Sequence, residues 1–147
     1  ILTSSDGTTW TSRSTSGATV NNEVIYANST FVALGLNGVI LTSSDGTTWT
    51  SRNSRTTEHL LAGTYGNNSF VVVGGYLSGK GIILTSSDAI TWISSGTTKG
   101  LWGVTHGKNT FVTVGESGTI LTSSNANTWT SSTSGTSLDL RRVFYKE

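Results

Sequence analysis

The sequence contains no cysteine, proline or methionine, and only 12% of its 147 residues are charged. Without cysteine the chain has no disulfide framework and no thiolate to bind zinc or act as a nucleophile. Nine Lys and Arg against eight Asp and Glu leave no basic field for a row of phosphates, which disfavours nucleic-acid binding. No apolar run approaches the roughly 20 residues of a membrane-spanning helix, so no membrane span is predicted.

The sequence is rich in hydroxyl residues and also contains aromatic residues. Thr occurs 27 times and Ser 23 times, beside five Trp, four Tyr and four Phe. Aromatic and β-branched residues at a net charge of +1 argue against disorder and are typical of a β protein. The length suits one domain, spanning residues 1–147.

A tandem repeat of about 40 residues runs through the chain. The segment Ile1 to Arg13 recurs without change at Ile40 to Arg52, and in altered form from Ile83 and from Ile120. Two shorter motifs alternate with it, one of the TFVALG type and one that ends in an aromatic residue or His. The first motif lies at 30–35, 69–74 and 110–115, and the second ends at Tyr26, Tyr65, His106 and Tyr145.

Each repeat contains four short strand-like runs separated by Asn, Gly, Asp and Ser turns, as in an antiparallel meander. Four copies predict an all-β propeller of four-stranded antiparallel blades, with one blade shared between the termini. A β-trefoil is the alternative, but it has three units. The predicted parts are closing strands at 1–13, blades at 17–52, 58–95 and 100–132, and a closing first strand at 138–145. Because no TFVALG-type run precedes Ile1, about ten further residues are expected upstream.

The turn between the third and fourth strands carries a recognisable motif. Its sequence SSDGTTW at 4–10 resembles the Asp-box of bacterial neuraminidase repeat proteins, Ser-x-Asp-x-Gly-x-Thr-Trp. The resemblance spans the whole chain and extends to propeller-shaped photosystem assembly factors. It implies a folding element in which Asp accepts backbone N–H bonds and Trp packs between blades. The residues in these structural roles are Asp6, Trp10, Asp45, Trp49, Asp88, Trp92 and Trp129, with Asn125 in place of the fourth Asp.

Catalytic residues of the neuraminidase kind are not recognisable. The resemblance implies an arginine triad, a Tyr nucleophile with a Glu base, and an Asp acid. Here Arg55, Arg141 and Arg142 come from only two blades, no Tyr–Glu pair stands out, and Asp139 is the sole Asp near that face. Calcium is disfavoured because each box turn offers one carboxylate, whereas calcium takes six or more oxygens. We therefore predict no enzymatic activity, no cofactor and no metal site.

The loops at the end opposite the box turns differ most between copies, as expected where repeats bind an asymmetric ligand. Equivalent first-strand positions 22–23, 61–62, 102–103 and 141–142 are predicted to line a funnel mouth. Trp102 beside Arg, Glu and Asn suits sugar stacking or a peptide anchor, with channel filling as the equal alternative. The predicted ligand-binding residues are Trp102, Tyr76, Lys80, Asn22, Glu23, His59, Glu116, Arg141 and Arg142.

The favoured function is a non-enzymatic propeller module that holds a glycan or peptide at this mouth. The alternative is an assembly scaffold that oligomerises, as a homodimer for example, into a larger propeller with no small ligand. Whether four blades close alone or two chains share one ring is left open. A bacterial source and an extracellular or cell-surface location are expected.

Overall fold

A computed structural model describes residues 1–76 and 78–146, and these residues form fourteen antiparallel strands with two short 3₁₀ turns. The N-terminal hairpin is β1 (Leu2–Thr3) and β2 (Thr11–Ser12). Sheet I contains β3 (Val20–Ala27), β4 (Thr30–Gly35), β5 (Ile40–Ser43) and β6 (Thr50–Arg52). Sheet II contains β7 (Leu60–Gly66), β8 (Ser69–Gly75), β9 (Gly81–Ser86) and β10 (Ile93–Thr97). Sheet III contains β11 (Leu101–Gly107), β12 (Thr110–Gly115), β13 (Ile120–Ser123) and β14 (Thr130–Ser132).

Sheets I, II and III each join four consecutive strands in chain order, so the four-stranded antiparallel units predicted from the repeat are confirmed. The turns from first to second strand are two residues long, and both residues have positive φ. This is the type I′ geometry that matches the twist of a hairpin. The residues at these turns are Asn28 and Ser29, Asn67 and Asn68, and Lys108 and Asn109.

The core consists of two layers of side chains between successive sheets. Between sheets I and II, Val32, Leu34 and Ile40 meet Phe70 and Trp92. Between sheets II and III, a second cluster forms in the same way. Its buried members are Val71, Val73, Ile83, Leu101, Val104, Phe111 and Ala126. Each sheet is therefore held to the next by one face of alternating apolar residues.

The segment 138–146, where the sequence predicts a closing strand at 138–145, forms no strand. It lies along sheet III: the N–H of Leu140 donates to the carbonyl of Gly115 at 2.9 Å, and the ring of Tyr145 covers Gly107. The His106 ring covers Gly66 in the same way. The segment thus occupies a first-strand position, but no described strand pairs with it, and a strand requires a hydrogen-bonded neighbour.

The two 3₁₀ turns are Leu36–Gly38 and Glu116–Gly118. Within the described residues, no helix is long and apolar enough to cross a membrane.

Candidate functional site

A cavity of about 610 Å³ lies where the first strands of the three sheets and the segment 138–146 converge. Each of these four elements contributes residues from the same register of the repeat. The lining residues are Asn22, Glu23, Leu61, Ala62, Tyr76, Trp102, Gly103, Val104, Arg141, Arg142, Val143 and Phe144. All four pairs of equivalent positions singled out in the sequence are brought together here.

A β-bulge places the variable side chains at this cavity. In β7 the pairing to β8 skips Leu61, and in β11 the pairing to β12 skips Trp102. In β3 the corresponding shift lies between Val20 and Glu23. A bulge bends the strand and re-aims the residue that it leaves unpaired. The same backbone device therefore presents a different side chain from each sheet.

Trp102 is half-buried and forms the aromatic wall of the cavity. The guanidinium of Arg141 lies over its ring, with the Arg141 Cζ atom 4.4 Å from the ring centroid. This is a cation–π geometry. The Nη2 atom of Arg141 is 3.8 Å from a carboxylate oxygen of Asp139. This ion pair is weak because it is exposed to solvent. Arg141 thus lies over the indole while its side chain remains largely exposed.

Glu23 is the carboxylate of the cavity. Its Oε2 accepts the backbone N–H of Gly63 in the neighbouring sheet. Burial raises the pKa of Glu23 above its ordinary value, while the bond from Gly63 and the positive charge of Arg142 act in the opposite direction. Asn22 is also tied across the sheets, because its side-chain nitrogen donates to the carbonyl of Leu60 at 2.7 Å. The polar groups of sheet I are therefore fixed by contacts to sheet II.

Three of the predicted site residues lie outside the cavity lining. His59 accepts the N–H of Asn37 at 3.1 Å through Nδ1, and its ring stacks on Tyr76 with centroids 5.8 Å apart. Glu116 accepts the N–H of Gly100 at 3.2 Å, and Lys80 is exposed in its loop. His59 supports the cavity through Tyr76, whereas Glu116 has a local structural contact.

Sequence reasoning missed the apolar side of the cavity, formed by Val104, Val143 and Phe144. The signal was present, since these residues directly follow the mouth positions in the third and fourth copies of the first-strand motif. Phe144 remains highly exposed despite lining the cavity.

The box turns form a separate set of structural sites. The carboxylate of Asp45 accepts the N–H groups of Thr47 and Thr48 at 2.7 and 2.8 Å, and Asp6 and Asp88 make the equivalent bonds. These bonds lower the pKa of each of the three carboxyls below its ordinary value. The indole of Trp49 donates to the carbonyl of Gly46 at 3.0 Å, and Trp92 and Trp129 repeat this bond.

The chain matches no protein-family model and no curated protein. Its chemistry must therefore be argued from its own residues. Among those that the structure describes, no three His, Asp or Glu side chains cluster in a way that would hold a metal ion. The cavity instead combines an indole, a phenol, two guanidiniums and one carboxylate around an open concave surface. Such a set can stack on a ligand and hydrogen-bond to it.

Proposed function

We propose that the protein is a non-enzymatic binding module, with its sheets arranged as the blades of a propeller, and that the mouth cavity holds a carbohydrate. The observation that carries the proposal is the contrast between backbone and side chains at the cavity. The first strands of sheets I, II and III reach it with a bulge at the same place, yet their residues are Asn22 and Glu23, Leu61 and Ala62, and Trp102 and Gly103.

The lining chemistry supports a sugar ligand. A pyranose ring presents an apolar C–H face that stacks on an indole, and hydroxyls that bond to fixed charged groups. Trp102 supplies the indole, and Glu23 and Arg142 supply an acceptor and donors across the cavity. Because Gly63 orients the carboxylate of Glu23, little ordering of that side chain is needed on binding. A cavity of about 610 Å³ lies within the range of roughly 300–1,000 Å³ for small-molecule sites.

Carbohydrate binding is tested by screening the wild-type protein against a glycan array and measuring Kd by calorimetry for any glycan retained. Replacing Trp102 by Ala should weaken that Kd at least about tenfold, because aromatic anchors dominate small interfaces. Two controls are matched. Trp10→Ala removes an exposed Trp outside the cavity, and Lys80→Ala removes a charge outside the described lining. Both should leave the Kd unchanged.

The outcomes separate the candidates clearly. Glycan binding that is insensitive to Trp102→Ala would move the site elsewhere on the molecule. Absence of glycan binding, together with a peptide from a display library whose affinity depends on Trp102, would replace the ligand class but keep the cavity. Absence of both kinds of ligand would contradict the proposal and favour the assembly scaffold.

A further inference from the structure

The contact between successive sheets has a repeated form. In sheet I, a groove lined by Thr30, Thr42, Ser43, Ser44, Thr48, Thr50 and Arg52 receives the box turn of sheet II. That turn contributes Asp88, Ala89 and Ile90 to the walls of the groove. The adjoining apolar residues Val32 and Ile40 are then fully buried. One sheet thus provides a hydroxyl-rich groove, and the next provides a box turn that enters it.

Sheet III presents the same groove without a turn in it. The outer groove of sheet III has a volume of about 390 Å³ and is lined by Thr110, Thr122, Ser123, Ser124, Asn125, Thr128 and Thr130. Six of these residues are the repeat counterparts of residues that line the groove in sheet I. All seven belong to sheet III, so within the described part of the chain no box turn from another sheet contributes to this groove. The adjoining Val112 and Ile120 are only half-buried, whereas their counterparts Val32 and Ile40 are fully buried. This face is therefore a sheet-to-sheet contact with one side missing.

The N-terminal hairpin carries the matching side. Leu2 and Trp10 are 61% and 59% exposed, whereas their counterparts in sheet II, Leu84 and Trp92, are 0% and 1% exposed. Within the described residues, Trp10 also lacks the indole-to-carbonyl bond that the other three box Trp residues make. The carboxylate of Asp6 nevertheless accepts the same two backbone N–H bonds as the carboxylate of Asp88. The hairpin is thus shaped for a groove that it does not occupy.

We propose that the outer groove of sheet III binds the N-terminal hairpin of a second copy of this chain, with Trp10 buried at the contact. The hairpin of the same copy lies on sheet I: the methyl group of Thr3 is 3.9 Å from the position that a Cβ would take on Gly46. In that position it leaves Trp10 exposed and sheet III uncovered. The contact is head-to-tail, and such contacts build rings or open chains of copies.

The occupant is further supported by the sequence of the hairpin. Ile1 to Arg13 is identical to Ile40 to Arg52, so it carries a complete box turn and Trp. Lys108 is the counterpart in sheet III of Asn67 in sheet II. Asn67 bridges from sheet II to sheet III, because its side-chain nitrogen donates to the carbonyls of Asn109 and Ser124 at 3.2 and 3.0 Å. An ammonium group is also a donor to carbonyl oxygens, so Lys108 can donate to the carbonyl of Ser5, the hairpin residue that stands at the repeat position of Ser124.

Cysteine cross-linking tests the contact directly, because the chain has no native cysteine. The pair Thr122 and Gly7 is equivalent by repeat to the pair Thr3 and Gly46, in which the Thr3 methyl carbon lies 3.9 Å from the position that a Cβ would take on Gly46. We therefore expect cysteines at these positions to approach closely enough for a disulfide. We would mix two single variants, Thr122→Cys and Gly7→Cys, under mild oxidation and analyse the product on a non-reducing gel and by mass spectrometry. The mixture should give a covalent heterodimer in excess of the homodimers formed by either variant alone. Circular dichroism would first establish that each variant is folded like the wild type.

A control and a second variant make the result decisive. The double variant Thr3→Cys with Gly46→Cys should form a disulfide within one chain, which shows that the chosen geometry permits the bond. If the mixed single variants give no excess heterodimer while this control closes, the proposal is wrong. The double variant Thr122→Cys with Gly7→Cys should give dimers and larger species. An oxidised monomer would instead mean that the groove takes the hairpin of its own chain, and this would also overturn the proposal.

The energetic role of Trp10 gives an independent measurement. Trp10→Ala should weaken self-association at least about tenfold by analytical ultracentrifugation, as expected for a central Trp. Trp102→Ala, in the mouth cavity, should leave association unchanged. The proposal therefore stands or falls separately from carbohydrate binding. A wild-type protein that stays monomeric at all accessible concentrations would contradict it.

Discussion

Each box turn is organised around one side-chain oxygen, which belongs to the residue four positions before the Trp. In three copies this oxygen belongs to Asp, and in the fourth Asn125 accepts the N–H groups of Asn127 and Thr128 at 3.0 and 2.9 Å. Ser123 supports Asn125 as Ser43 supports Asp45. The turn therefore requires an acceptor at this position but not a charge. Asp and Asn side chains commonly form such turns by accepting the backbone N–H groups of residues two and three positions later in the chain.

This comparison predicts how Asp45 responds to substitution and to acid. Asp45→Asn should keep the turn, because Asn125 already makes the same bonds, and Asp45→Ala should lower Tm more because it removes the acceptor. Thermal unfolding at neutral pH would measure both. Equal losses in the two variants would show that the N–H bonds to Asp45 do not matter.

The pH dependence follows from the lowered pKa of Asp6, Asp45 and Asp88. A carboxyl with a lower pKa in the folded state stabilises the fold above its unfolded pKa of about 3.9. That contribution is lost as the pH falls below this value towards the folded pKa. Tm should therefore decline from pH 4 downwards, and the decline should be shallower in Asp45→Asn, which has one such carboxyl fewer. An unchanged slope in that variant would contradict the assignment.

At the scale of the sheet, three aromatic positions form a ladder on one face. Tyr65, Phe70 and Trp92 make this ladder in sheet II, with ring centroids 4.7 and 6.5 Å apart. Sheets I and III repeat it with nearly the same distances. What differs is what covers the face. In sheet II the ladder packs on sheet I, whereas in sheet I the ladder lies on the side of the two-stranded hairpin, near Thr3.

The difference in coverage predicts unequal costs for the same substitution. Phe70→Ala removes a side chain that is 1% exposed and should lower the free energy of unfolding by about 3–5 kcal/mol. Phe31→Ala, at the same motif position, should cost clearly less because Phe31 is only half-buried. Urea denaturation of both variants would compare them. A larger loss at Phe31 would mean that sheet I is more completely covered than its exposure indicates.

At the scale of the molecule, the exposed hairpin face and the outer groove of sheet III make stability depend on concentration. A partner that binds only the folded state stabilises it, and the effect grows with partner concentration. If copies join head-to-tail, the Tm of the wild type should rise as the protein is concentrated about a hundredfold. Trp10→Ala should remove most of this rise. A wild-type Tm that is independent of concentration would argue against the contact.

The sequence predicts the part of the candidate site that lies at equivalent positions of the repeat, but not the part that depends on the conformation of loops. Positions 22–23, 102–103 and 141–142 are equivalent positions of the sequence repeat, so the sequence alone predicts that they lie together. The sequence predicts Glu116 and Lys80 at the same mouth because their loops are at the same end of the sheets. Their side chains lie outside the described lining, since a loop's course depends on contacts such as the bond from Gly100 to Glu116.

The sequence by itself determined the strands of sheets I, II and III, the turns between them and the box turns, because each depends on residues close together in the chain. Only the tertiary structure decided which faces are covered. The clearest case is the identical pair of segments, Ile1 to Arg13 and Ile40 to Arg52. Trp49 is half-buried and bonded to Gly46, whereas Trp10 is 59% exposed. Burial depends on the neighbouring sheet, and no local sequence records whether that neighbour is in place.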